Sequence, residues 1–241
     1  MSLLMGGAMK TFICMTFLGF TVLAFSTARG QNAQLLVTGK FHGNEVTAQS
    51  GEIWYGLYNE VGRFRLVSTT VKVEAVHDDM VIEKEGEKTG KKVSAEHEGS
   101  PLFMVRGIDR LEEREVETVF NGKKFFFPGE MMRVGEITVI AFGDLQEPKP
   151  RWSPSYRNYS IQLKAGRPQK YYLLAEYPRL AAFDEIPYLV WAGDIDNDGR
   201  IDMFWDMTDH YNKRQKTLFL SSMALTGELL HKCAEFIFIL D

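Results

Sequence analysis

"PYLVWAGDIDNDGRIDMFWDM", residues 187–207, sets two apolar runs on either side of an acidic turn. Both runs are rich in β-branched and aromatic residues, which is the composition of strands. Counted from Asp194, carboxylates fall at positions one, three, five and nine: Asp194, Asp196, Asp198 and Asp202. Carboxylates at alternate positions of a tight loop converge on one point. Gly199, at position six, permits the sharp bend that closes such a loop. Arg200, at position seven, is expected to contribute its backbone carbonyl and to turn its side chain away. Ile201 is expected to pack beneath. The unit predicted is a hairpin whose connecting loop is lined with oxygen.

Four carboxylates so placed need a counter-ion. Two unit charges about 5 Å apart repel by roughly 3 kcal/mol at an effective dielectric near 20. An all-oxygen donor set suits a hard cation. Calcium takes six to eight oxygens in flexible geometry, whereas magnesium demands a stricter octahedron, so calcium is the cofactor expected. An EF-hand does not fit, because its position twelve wants a bidentate glutamate and here holds Trp205. Asp202 must close the coordination instead. A merely solvated acidic turn is the bland alternative, and the matching spacing argues against it.

Working outward, most of the chain reads as strand, with runs such as "RFRLVSTTVKVEAV" and "KTLFLSS" punctuated by Gly, Asn and Pro. The fold class expected is mainly β, with antiparallel sheets packed as a sandwich or an irregular barrel and little helix. "GIDRLEEREVETVF", 107–120, is the best helical candidate, and "RLAAF" and "SSMALTGELL" are candidates for single turns. Residues 78–100, charged in both signs, read as a solvated hairpin or loop. The stretch 146–158 carries Pro148, Pro150 and Pro154, and reads as a connector between an N-terminal β subdomain, 31–145, and a C-terminal one, 159–241.

At the other end of the chain, Lys10 precedes fifteen uncharged residues, "TFICMTFLGFTVLAF", and then small residues at Ser26, Ala28 and Gly30. A positive residue, a short apolar run and small residues read as a secretory signal peptide over 1–30. The run is short for a membrane span. The expected location is secreted or periplasmic, with no span once the leader is cleaved; a retained anchor is the competing reading. Removal of the leader leaves Cys233 as the one cysteine, which reads as a buried thiol. A net charge of −4 and the lack of a basic stripe argue against nucleic acid. At 45% apolar residues the chain has enough to bury, so disorder is not expected.

Other candidate chemistry is thinner. "DMTDHYN", 206–212, places Asp209 beside His210, an acid–base pair on paper. Neighbours on an extended chain point to opposite faces, so a polar turn is the favoured reading, with these two the best catalytic candidates. The remaining histidines lack metalloprotease spacing, and no nucleophile elbow, phosphate loop or dinucleotide fingerprint occurs. Trp152 and Tyr156, in the proline-rich stretch, are candidates for a platform under a sugar ring.

The stretch "AGDIDNDGRIDMFWD" resembles the calcium hairpin of FG-GAP and VCBS-type repeats, with the pattern D-x-D-x-D-G-x-x-D. The wider strand order is similar to that of secreted bacterial proteins with no assigned activity. The resemblance implies a calcium ion held by Asp194, Asp196, Asp198 and Asp202 between two antiparallel strands, and it brings no catalytic residues. Relatives stack several such repeats, and this chain carries one. The function expected is therefore a secreted or cell-surface binding or structural module stabilised by calcium, with a carbohydrate or another cell-surface ligand as candidate partner. The alternative is a secreted hydrolase, acting on a polysaccharide, with its site near Asp209 and His210.

Overall fold

A computed structural model describes residues 33–146, 155–181 and 185–240. The signal-peptide reading and Trp152 lie outside them. The described residues contain sixteen strands and no helix.

The first seven strands make one sheet: β1 (Gln34–Leu36), β2 (Gly39–His42), β3 (Ile53–Glu60), β4 (Arg63–Val76), β5 (Gly90–Ala95), β6 (Phe103–Arg106) and β7 (Arg114–Val116). Its order is β1-β6-β3-β4-β5-β2, with β7 added against β4. The long β4 serves two sets of partners. Its first half pairs with β3 and β7, and its second half, from Val71 onward, pairs with β5. The charged stretch 78–100 is thus a hairpin return into β5 followed by a turn.

β8 (Thr118–Phe125) leaves this sheet for another. The chain then builds a separate meander: β9 (Met131–Val134), β10 (Ile137–Gln146), β11 (Ser155–Ala165) and β12 (Lys170–Ala181), ordered β12-β11-β10-β9. It returns through β13 (Tyr188–Gly193), β14 (Asp202–Asp206), β15 (Lys213–Leu220) and β16 (His231–Ile239). These four make a five-stranded sheet with β8, ordered β16-β15-β14-β13-β8. All pairings are antiparallel.

The five-stranded sheet is the middle layer. Along β14, Phe204 enters one core while Met203 and Trp205 enter the other. Along β15, Leu218 and Leu220 point to the first core and Phe219 to the second. A strand with both faces covered shows a continuous apolar run rather than an alternation, and "IDMFW" and "TLFL" are such runs. The first core lies against the seven-stranded sheet. There Trp191 sits near Phe64 and Phe103, with ring centroids 6.5 and 6.2 Å away. The second lies against the four-stranded sheet, where Phe126 meets Trp205 at 5.4 Å and the buried Tyr159 hydroxyl donates to the Phe126 carbonyl at 2.7 Å. Each such side chain contributes about 1.5–3 kcal/mol through burial alone.

The seven-stranded sheet curls around its core, so that β1 and β2, at its two ends, both reach β16. Phe41 of β2 packs edge-on against Phe236 and Phe238 of β16, each at 5.1 Å. The Ile239 amide donates to the Glu45 carboxylate just beyond β2, at 2.7 Å.

The sequence and the structure differ in three places, one of them being "RLAAF", where Arg179–Ala181 continue strand β12 rather than form a turn. No helix spans 107–120. Residues 107–113 are a loop, and β7 and β8 follow it. Their backbone groups are taken up by β4 and β13, and Val116 is buried in the first core. Sheet partners outweigh a weak local helical preference. Nor does 221–230 form a helical turn; it passes as irregular turns between β15 and β16. The proline-rich 146–158 joins β10 to β11, which are neighbours in one sheet. The strands before and after it also share a sheet, through β8 and β13.

Candidate metal centre

β13 and β14 pair from Tyr188↔Asp206 to Gly193↔Asp202, and residues 194–201 form the loop between them. The sequence dictates its shape. Asn197 and Gly199 take the left-handed conformation, at φ 60° and 79°. Asn tolerates that region better than most side chains, and Gly enters it freely. Gly193 is required for a different reason. A Cβ there would stand 2.2 Å from the Glu117 carbonyl oxygen and 2.5 Å from the Trp191 ring, so β8 and β13 could not approach as they do.

Within this frame the Asp194 carboxylate turns inward and caps the loop. It accepts from the amides of Asp198 at 3.1 Å and Gly199 at 2.9 Å. Asp202, at the start of β14, is fully buried. Its oxygens accept from the Ile195 amide at 2.9 Å, the Ser221 amide at 2.8 Å and the Ser221 hydroxyl at 3.2 Å. Asp196, only 4% exposed, accepts from the Ser222 hydroxyl through one oxygen. Its other oxygen, Oδ1, is buried with no hydrogen-bond partner. One carboxylate oxygen from each of Asp194, Asp196 and Asp202 lies within 4.8 Å of the others, so these three could hold a metal ion.

The charges are unfavourable without such an ion. Burial, with Asp196 and Asp198 adding to it, pushes the Asp202 carboxyl up to about 8. Asp196 is raised for the same first reason, with Asp198 and Asp194 contributing. A buried polar atom without a partner costs about 1–3 kcal/mol, more when charged. The Asp196 Oδ1 orphan and the all-oxygen donor set are what a hard cation would satisfy.

The other members of the expected ligand set are placed differently. Asp198 sits at the rim. Its Oδ2 accepts from the Ser221 hydroxyl at 2.9 Å and pairs with Arg200, with Nε at 3.0 Å and Nη2 at 2.8 Å. Arg200 therefore does not turn its side chain away, as expected. It folds back onto Asp198, because a half-buried carboxylate beside three others is the strongest nearby attraction for a guanidinium. Ile201 does pack beneath, in the second core.

Three contributors escaped the sequence reading. Ser221 and Ser222 supply hydroxyls to Asp198, Asp202 and Asp196. The register Met203↔Phe219 brings the end of β15 alongside Asp202, so folding the "IDMFW"–"TLFLSS" hairpin on paper would have found them. Arg114 of β7 reaches over the loop and donates to the Asp194 carbonyl at 2.6 Å; no local signal marks it.

Asp209 and His210 lie on the exposed turn between β14 and β15. Asp209 pairs with Lys213, and His210 contacts Asn212 and stacks near Tyr211, with ring centroids 4.5 Å apart. No contact joins Asp209 to His210. Tyr156 stands half-buried on β11, its ring 6.3 Å from that of Tyr159 on the second core. The Cys233 thiol is buried in the first core, and burial, followed by the charges of Asp202 and Asp196, pushes it up to about 12. Among the described residues no helix is long and apolar enough to cross a membrane. Comparison with protein families, curated proteins and solved structures finds no match to this chain.

Proposed function

We propose that the chain is an exported, non-enzymatic binding or structural β module whose 194–202 hairpin holds a calcium ion. The observation that carries the reading is the buried, unpartnered Asp196 Oδ1 beside the carboxylates of Asp194 and Asp202. The D-x-D-x-D-G-x-x-D spacing and the β13–β14 hairpin around it support the likeness to FG-GAP and VCBS-type loops. Asp194, Asp196 and Asp202 are the direct ligands, and Asp198 joins them by releasing Arg200. Calcium is favoured over magnesium because a buried set of carboxylates on one flexible loop suits variable coordination better than a strict octahedron. The leader-like N-terminus fits, since extracellular modules commonly bind calcium at about 10⁻⁴–10⁻³ M.

The ion's role is to tie β13, β14 and the end of β15 together in the middle layer. Thermal melting in calcium and in chelator tests it. At a hundred times the dissociation constant, mass action stabilises the folded state by about 2.7 kcal/mol. For a chain of this length that raises the melting temperature by about 5–10 °C. Equal melting temperatures in the two conditions would reject the ion.

A further inference from the structure

Two exposed apolar features of this chain carry opposite charge. The first is the tip of the loop that joins β4 to β5, where Met80, Val81 and Ile82 are all exposed, Ile82 fully. The usual order of burial is inverted there. The acidic side chains on either side of the tip point inward, and the apolar ones point out. Asp78, only 6% exposed, contacts His42 at 2.8 Å and accepts from the Met80 amide at 3.1 Å. The Glu83 side chain, 2% exposed, accepts from the amides of Asp78 at 3.1 Å and Thr89 at 2.6 Å. The tip is thus held in shape from below. Residues 78–88 carry five acidic and two basic side chains, a net charge of −3.

The second feature is the outer face of the four-stranded meander. The register sets Met131, Ile140, Gln162 and Leu173 in one row across its strands, with Phe142 and Tyr171 on the rows to either side. Of these, Met131, Phe142, Tyr171 and Leu173 are exposed. Arg133 and Lys164 stand on the same face, and Arg167 and Lys170 lie at the β11–β12 turn beside it. None of these four forms an ion pair with a described residue. Residues 131–146 and 155–181 together carry six basic and three acidic side chains, a net charge of +3 in a chain of −4.

We infer that loop 78–88 of one copy of this chain docks on the outer face of the meander of another. Exposed apolar side chains rimmed by charge mark an interaction site, and here the two charges are equal and opposite. The two features do not meet within one molecule. The loop hangs from the seven-stranded sheet, and the face looks away from the middle layer on the opposite side. Neither feature involves the metal loop. Two such contacts can close reciprocally into a dimer or run on as a chain of copies. A tip against a sheet face is a small contact, so the association is weak, with a dissociation constant of about 10–100 µM.

Sedimentation velocity of the full chain, from about 1 to 200 µM, spans that range and tests the contact. The mean mass should rise with concentration. Ile82→Lys sets a positive charge on the tip, against the basic face. Leu173→Glu sets a negative charge on the face, against the acidic loop. Both positions are exposed, so both variants should fold. Each variant alone should stay monomeric over the same range. An equal mixture of the two should recover dimers and nothing larger, since only one intact tip and one intact face remain to meet. In about 1 M sodium chloride the parent's association should weaken about threefold or more, because charge contributes to it. A parent that stays monomeric, association that survives either substitution, a mixture that stays monomeric, or salt without effect would each overturn the inference. So would a monomeric parent that sediments with phosphatidylcholine vesicles and loses them on Ile82→Lys, which would assign the tip to a membrane.

Discussion

Asp202 and Asp206 begin and end the same strand, β14, and both are fully buried, yet their surroundings are opposite in sign. Around Asp206 the chain supplies its own cations. Lys216 donates at 3.0 Å from the directly opposed position on β15, and Arg214 approaches to 3.8 Å. The amides of Thr208 and Gln215 also point at it. Around Asp202 the nearest charges are further carboxylates. One end of the strand is electrically complete as folded; at the other, Asp194, Asp196 and Asp202 could hold a metal ion. Burial of a carboxylate is therefore no guide to its role until its partners are counted.

That contrast can be broken experimentally. The largest effect should come from Asp206→Ala, which strands two cations. Breaking a buried ion pair costs about 3–5 kcal/mol, and the low end applies because Lys216 and Arg214 retain some contact with water. Denaturant unfolding should show this loss equally in calcium and in chelator. A loss seen in only one condition would mean that the two ends of β14 are coupled.

Asp202→Asn should behave differently. In calcium the variant should lose the ion's contribution, about 2–3 kcal/mol at saturating concentration. In chelator it should cost less than in calcium, since it removes a group whose ionisation burial disfavours, while the amide keeps one of the two acceptor oxygens to which Ile195 and Ser221 donate. Destabilisation in chelator as large as in calcium would make Asp202 a structural hydrogen-bond acceptor and no more.

The dependence on pH sharpens the same point. The folded-state pKa of Asp202 is raised from 3.8 to about 8, so in chelator the folded protein keeps a proton that the unfolded chain has released. The stability this supplies is complete below the lower value and is lost as the pH rises through the upper one. Melting temperature in chelator should therefore fall across that window, and Asp202→Asn should flatten the fall. Saturating calcium should flatten it too. The smallest effect belongs to His210→Ala. This exposed side chain should change stability by less than about 0.5 kcal/mol and leave the calcium response intact.

The acidic hairpin was legible because its information is local. Carboxylate spacing, the glycine at position six and the apolar runs that became β13 and β14 all lie within some twenty residues. The three-layer arrangement was not. A continuous apolar run such as "IDMFW" announces burial on both sides without naming which sheet covers each. The helix expected over 107–120 failed for a related reason. Arg114 to Val116 find their partners near Phe64 on β4, some fifty residues away, and no local pattern records that pairing. Asp206 falls between these cases. It stands in "DMTDHYN", but its cation is ten residues downstream and directly across the hairpin, visible only once the register Asp206↔Lys216 is drawn.

Because the middle sheet forms one wall of both apolar interiors, neither interior can melt by itself. Stripping the four-stranded meander away would wet Met203, Trp205 and Phe219, and opening the curled sheet would wet Phe204, Leu218 and Leu220. The chain leaves through β8 and re-enters through β13 at its side, so the excursion between them is fastened at both ends to its neighbours. A single cooperative unfolding transition is therefore the expected behaviour, to be read by calorimetry as equal calorimetric and van't Hoff enthalpies.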